Sequence, residues 1–253
     1  MITVLTVCVF VLVAFALIRS SPRWWRTIIS EDPATIAMAV NVENRVVNSI
    51  NDHKPKAPTV AGQPWRSDPW TIPIHAVEAN AWLNVRLPKW VANQQDPGFD
   101  PENSDPERRA EAPGHAFRWP RNLSDLQVDF TSKQITIGAR VRSGDRHQVL
   151  TATLGPRLEA AGALWVPAQW VNLGRLSIPA SWVLERAKSG TADYVPTDLR
   201  NLEQTQKLFR AFEGLEPIYE SAAIQIGGQR LRILQIVPKD GVLEVTCQTE
   251  RDE

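Results

Sequence analysis

Few side chains in this sequence stand at the spacings that chemistry requires. The four histidines, His53, His75, His115 and His147, are scattered, and none pairs with another His, Cys or carboxylate at metal-ligand spacing. A hydrolase nucleophile on a strand-to-helix elbow needs G-x-S-x-G, and a phosphate cradle needs a P-loop or G-x-G-x-x-G. The chain contains none of them. Gly227-Gly228 reads more simply as a turn between strands. The acidic run over residues 96–111 lacks the regular oxygen-ligand spacing and closing Glu of a calcium loop, so it reads as a solvated loop. Asn122-Leu123-Ser124 matches a glycosylation acceptor by pattern alone. No catalytic residue, metal ligand or cofactor is therefore assigned, and an enzyme ranks third among the functional readings.

Two residue sets remain. In the stretch Pro73 to Trp90, a helix carries Glu78, Asn80, Trp82 and Leu83 and ends at Leu87-Pro88. An asparagine is unfavourable inside a helix unless its amide finds a partner. Asn80 is thus a candidate structural polar anchor that holds the helix on a sheet. The second set is the tryptophans, ten of them against two tyrosines. Tryptophan buries much area with a single donor to satisfy, so most should be packing residues. Trp82, Trp165 and Trp170 are candidates for lining an apolar groove.

The elements that must position these residues follow from periodicity. Glu31-Asp32-Pro33 is a helix start, and Ile36, Val40, Val47 and Ile50 share one face up to about residue 50. Residues 51–70 are broken by Pro55, Pro58, Pro64 and Pro69. Thr71 to Ile74 is extended, and Pro73 confines it to an edge or a strand end. The second helix covers about residues 76–85. A flexible acidic loop is expected over residues 92–121, because it cannot bury enough apolar surface to offset ordering. Alternation then gives strands through Leu126-Val128-Phe130, Ile135-Ile137-Ala139-Val141 and residues 149–154. A strand pair or bent strand follows over residues 164–176. The result is a meander with one buried face. Helices are expected over residues 181–188 and 197–213, with Gly214 as the C-cap. Strands return at residues 223–226, 231–237 and 242–248, the last two joined through Asp240-Gly241. Strands do not alternate regularly with helices, so the class is α+β with a curved antiparallel sheet packed by amphipathic helices.

Ahead of this domain, residues 2–18 form an uncharged run of seventeen residues, about 25 Å long as a helix. That is the short end for a hydrocarbon core of roughly 30 Å. Arg19, Arg23, Trp24, Trp25 and Arg26 follow, residues suited to the interface. The expectation is a transmembrane anchor over residues 1–21 that meets the lipid bilayer through residues 2–18, and a single α+β domain over residues 22–253. A signal peptide is less favoured: no basic region precedes Ile2, although Ala14-Phe15-Ala16 loosely fits a cleavage site. The arginines place the domain in the cytoplasm by the positive-inside rule. Zero net charge gives no reason to expect a nucleic-acid partner. Cys8 and Cys247 lie too far apart in type of surroundings to suggest a disulfide.

Pro22-Arg23-Trp24-Trp25, the Glu78-x-Asn80-x-Trp82-Leu83 helix ending at Leu87-Pro88, and the step Gly174-Arg175-Leu176-Ser177-Ile178-Pro179 together resemble a group of uncharacterised bacterial membrane-anchored proteins. The layout is distantly similar to YpmS-like and LmeA-like lipid-binding extracytoplasmic proteins. His75 departs from the usual Ser or Thr before the asparagine helix. The resemblance implies a single-pass cell-envelope protein with its domain outside the membrane, against the arginine count. It also implies a lipid or other amphiphile held between sheet and helix. The competing expectation is a scaffold or interaction subunit of an envelope complex, recruited through the 92–121 loop.

Overall fold

The structure is a computed structural model that describes residues 13, 16–57, 65–90, 123–143, 146–188, 203–226 and 229–251. Among these residues no helix is long and apolar enough to cross a membrane. The anchor expected over residues 2–18 falls largely outside them, as does the loop expected over 92–121.

Helix α1 (Pro33–Asp52) begins where the acidic residues and the proline predict. Asp32 caps it, accepting from Thr35 N at 3.0 Å. Its buried residues Ala39, Val42 and Ile50 form one stripe. After the short β1 (Trp65–Arg66), strand β2 (Trp70–His75) runs directly into α2 (Ala76–Val85). Glu78 Oε2 accepts from His75 N at 3.1 Å and closes the start of α2.

The remaining strands are β3 (Leu123–Thr131), β4 (Gln134–Ser143), β5 (Arg146–Leu154), β6 (Arg157–Leu158), β7 (Leu164–Trp165), β8 (Ala168–Leu173), β9 (Leu176–Pro179), β10 (Ala223–Ile226), β11 (Gln229–Lys239) and β12 (Val242–Arg251). Helices α3 (Ala180–Lys188) and α4 (Glu203–Phe212) lie between β9 and β10. The class is α+β and every pairing is antiparallel.

The single curved sheet of the sequence reading is instead two five-stranded sheets and a two-stranded ribbon. Sheet A joins β10, β11 and β12, with β1 and β2 both on the far side of β12. Sheet B has the order β3-β4-β5-β8-β9. β2 pairs with β12, about as distant a partner as the chain offers, a register that local patterning does not encode. Pro73 sits in β2, which pairs only with β12 and is therefore an edge. Asp240-Gly241 makes the β11–β12 turn, with Gly241 at φ 74°.

The core cluster lies between α1 and sheet A: Ile50, Trp70, Ile72, Leu231 and Cys247 are buried, with Val46, Ile233 and Val245 against them. The sheets touch end to end. Gly241 N donates to Phe130 O at 2.8 Å, and Lys133 N to Pro238 O at 3.1 Å. Helices α1 and α2 bridge them. α1 rests on the sheet A core, while α2 lies along the free edge of β3.

Candidate functional site

Residues paired across antiparallel strands project to the same side, so the register assigns the two faces of sheet B. One face is largely apolar, turning polar only at the β4–β5 end, where Gln148 and the Ser143–Arg146 pair lie. Val128, Ile137, Ala152, Val171 and Ile178 form a row across all five strands. Ala139, Leu150, Leu173 and Leu176 form the next row. Phe130, Ile135 and Leu154 complete the face at the end nearest sheet A. The other face is polar: Gln127, Gly138, Thr151 and Asn172 in one row, and Asp129, Thr136, Thr153 and Trp170 in another.

Burial is distributed against expectation. On the polar face Gln127, Thr136, Thr151 and Thr153 are all buried. On the aliphatic face Ile137 is 39% and Leu150 40% exposed, and only the far row is closed off, through Phe130 and Leu154. The one buried face of the sequence reading is thus chiefly the polar one, and the connector of residues 20–27 lies over its Gln127 and Gly138. A covering peptide brings backbone donors and acceptors, so a polar surface suits it better than an aliphatic one. Gln127 meets both backbone groups of one residue: Arg26 N donates to Gln127 Oε1 at 3.1 Å, and Gln127 Nε2 donates back to Arg26 O. Thr136 and Thr153 hydroxyls pair at 3.2 Å, and Asn172 Nδ2 donates to Thr151 Oγ1 at 2.9 Å. Burial pushes the Asp129 carboxyl above its ordinary range, and Asp240 adds to the effect.

Two glycines fit the connector to the sheet. A Cβ on Gly138 would lie 2.7 Å from Trp25 and 3.1 Å from Trp24. The tryptophan pair therefore packs where the strand has no side chain. A glycine in mid-strand is the signal that finds this seat, and the alternation reading passed over it. Gly174 has φ 61°, and a Cβ there would lie 2.3 Å from Ile18 O and 2.5 Å from Leu17 O. In the same turn Arg175 N donates to Leu17 O at 2.8 Å and Arg175 Nε to Ser21 O at 2.9 Å. Residues 16–19 are helical, and the β8–β9 turn receives the carbonyls at the end of that helix. The turn at Gly174 and Arg175 thus meets residues 17–21, while the Trp24-Trp25 pair packs at Gly138 of β4.

Asn80 stands on α2 facing the free edge of β3. Asn80 Nδ2 donates to Val128 O at 3.0 Å, and Val128 N donates to Asn80 Oδ1 at 2.6 Å. Asn84 Nδ2 adds a bond to Leu126 O at 2.6 Å. The helix thereby supplies the hydrogen bonds that an additional strand would have supplied. Asn84 was not singled out from sequence, although its one-turn spacing from Asn80 places it on the same helix face.

The three tryptophans considered as groove lining lie on separate elements. Trp82 is on α2, on the side of Glu43 and α1. Trp165 lies under the Arg157 guanidinium, 4.8 Å from its ring centre. Trp170 is 46% exposed on the polar side of β8, three strands from the β3 edge where α2 lies. Among the described residues no cleft brings Trp82 and Trp170 together. The apolar surface is instead the aliphatic face of sheet B. At its far end a shallow cleft of about 320 Å³ opens among Ala168, Leu184, Phe212 and Leu215. A second cleft of about 260 Å³ lies between the connector and the helices, lined by Ile28, Ile29, Met38, Val77 and Ala81. Among the described residues no group of His, Cys, Asp and Glu is arranged to hold a metal ion. Comparison with protein families, with curated proteins and with solved structures finds no match to this chain.

Proposed function

We propose that this chain is a membrane-anchored, non-catalytic protein of the bacterial cell envelope that holds the acyl part of a lipid or similar amphiphile against the aliphatic face of sheet B. The observation that carries this reading is the inverted burial of the sheet. Nine aliphatic side chains stand in two unbroken rows with Ile137 and Leu150 still open, while on the polar side the connector covers Gln127 and Gly138. A continuous apolar surface on a folded domain marks an interaction site. Each methylene removed from water contributes about 0.8 kcal/mol, so eight on this face supply roughly 6 kcal/mol.

The test is solvent extraction and mass spectrometry of the purified full chain, wild type against Ile137→Gln with Leu150→Gln. Both carry the same N-terminal segment, so lipid bound there cancels. The expected outcome is a severalfold loss of co-purified lipid with unchanged circular dichroism. Equal lipid in the two proteins removes the reading. A scaffold role is the second reading. It draws on exposed Ile29 and Val77 beside the connector cleft, and it would leave lipid content indifferent to the sheet B substitutions.

A further inference from the structure

The β8–β9 turn holds the end of the N-terminal helix through its own backbone. Arg175 N reaches Leu17 O at 2.8 Å, and Gly174 leaves room for the carbonyls of Leu17, Ile18 and Ser20. Wherever Leu17 lies relative to a bilayer, this turn lies beside it. With residues 2–18 in the hydrocarbon core, Leu17 and Ile18 mark the depth at which the chain leaves it. The turn then stands at headgroup level.

Neighbouring backbone stands there too. Gly174 N donates to Val149 O at 2.8 Å, and two residues before Val149, His147 pairs with Arg142 of β4. Arginine dominates the charge at this end; the acidic residues near it are Asp125 of β3 and Asp145, which lies between β4 and β5 in the sequence. Across residues 16–26, 138–143, 147–149 and 172–176 the ionised residues are Arg19, Arg23, Arg26, Arg140, Arg142 and Arg175, and none is acidic. Arg140 is paired with Asp125 at 2.8 Å; Arg19, Arg23, Arg26, Arg142 and Arg175 are exposed.

We infer that this end of sheet B, formed by the β8–β9 turn, the Arg142–His147 strand ends and the arginine-rich connector, docks on the surface of an anionic bilayer. The inference rests on the anchored reading above and adds to it a fixed stance. The strands of sheet B rise from the lipid surface, and the row Ala139, Leu150, Leu173 and Leu176 is the part of the aliphatic face nearest the lipid. Distance makes the docking specific to one end. β4 spans Gln134–Ser143, roughly 30 Å at about 3.3 Å per residue, whereas the surface potential of anionic lipid decays within about 8 Å at physiological salt. The β3–β4 turn at the opposite end is beyond its reach.

The experiment uses the full chain in lipid nanodiscs containing a headgroup-attached quencher. Single fluorophores are placed at His147→Cys or at Ser132→Cys, with Cys8→Ser to leave only the buried Cys247 besides the label site. In discs containing phosphatidylglycerol, the label at 147 should lose most of its emission and the label at 132 little. In phosphatidylcholine discs, quenching at 147 should fall severalfold. Arg23→Glu with Arg26→Glu reverses two exposed side chains and leaves the Gln127 bonds to the Arg26 backbone in place. It should bring the phosphatidylglycerol result down to the phosphatidylcholine level. Equal quenching at 147 and 132, or quenching at 147 that ignores lipid charge, overturns the docking. Alkaline carbonate extraction of the same membranes separates the two failures. A chain released by carbonate overturns the anchored reading and the docking together, and a retained chain without quenching at 147 overturns the docking alone.

Discussion

Asn80 carries more of this fold than its size suggests. Its carboxamide satisfies both the N–H and the C=O of Val128 on the open edge of β3. Truncation leaves two partly buried backbone groups without partners, a loss of about 1–3 kcal/mol. Asn80→Ala should lower the denaturant midpoint accordingly, and Asn80→Leu, which restores apolar volume, should not recover it. An unchanged midpoint for Asn80→Ala would show that water replaces the amide at no cost. The sequence reading identified the asparagine as needing a partner, but the partner lies 48 residues further on, beyond what helix periodicity can express. Cys247 is the opposite case, a polar-capable group made inert. It is 2% exposed, and burial pushes its thiol up to about 11. At pH 8 the native chain should leave Cys247 unmodified by a thiol reagent that modifies it fully in denaturant. Rapid labelling of Cys247 in the native state would mean that the core between α1 and sheet A opens readily.

At the scale of elements, α1 and α2 are cross-linked by two reciprocal pairs. Arg45 of α1 meets Glu78 of α2 through two guanidinium bonds at 2.8 and 2.6 Å. Arg86, just past α2, meets Glu43 of α1 at 2.6 and 2.9 Å. The Arg45 guanidinium holds the Glu78 carboxyl below the ordinary value of 4.5, and the Arg86 guanidinium does the same for Glu43. A carboxylate with a depressed folded-state pKa stabilises the fold above the unfolded value, and that contribution is lost as pH falls through the folded value. The pairs are partly exposed, so the effect is modest. The melting temperature should therefore decline as pH falls below about 4.5, and decline less in Glu43→Gln with Glu78→Gln. Parallel curves for wild type and variant would show that the pairs do not couple the helices. The helix and strand positions themselves were largely legible. α2, α3, β10 and the β11–β12 hairpin follow from capping residues, alternation and the Asp240-Gly241 turn. α4 starts at Glu203, and residues 197–202 lie outside the described structure.

For the whole molecule the decisive quantity is topology. The arginines after residue 18 favour a cytoplasmic domain, whereas the envelope reading needs it outside. An alkaline phosphatase fused after Glu253 should be active, and a reporter that fluoresces only in the cytoplasm, fused at the same place, should be dark. The reverse pair of results would vindicate the arginines and turn the bet toward a cytoplasmic tethered scaffold. Sequence alone determined the α+β class, the antiparallel hairpins and the apolar N-terminal run. Each depends on residues within a few positions of one another, and their physics is periodicity, turn geometry and hydropathy. Tertiary structure alone decided that there are two sheets, that α2 closes an open strand edge, and which face of sheet B is covered. The last was invisible to hydropathy because the connector is held by backbone hydrogen bonds and glycine seats. Arg26 meets Gln127 across 101 positions of sequence, and Leu17 meets the turn at Arg175 across more. Contacts of that range are fixed only when the sheet has formed, and they leave the aliphatic face of sheet B partly open.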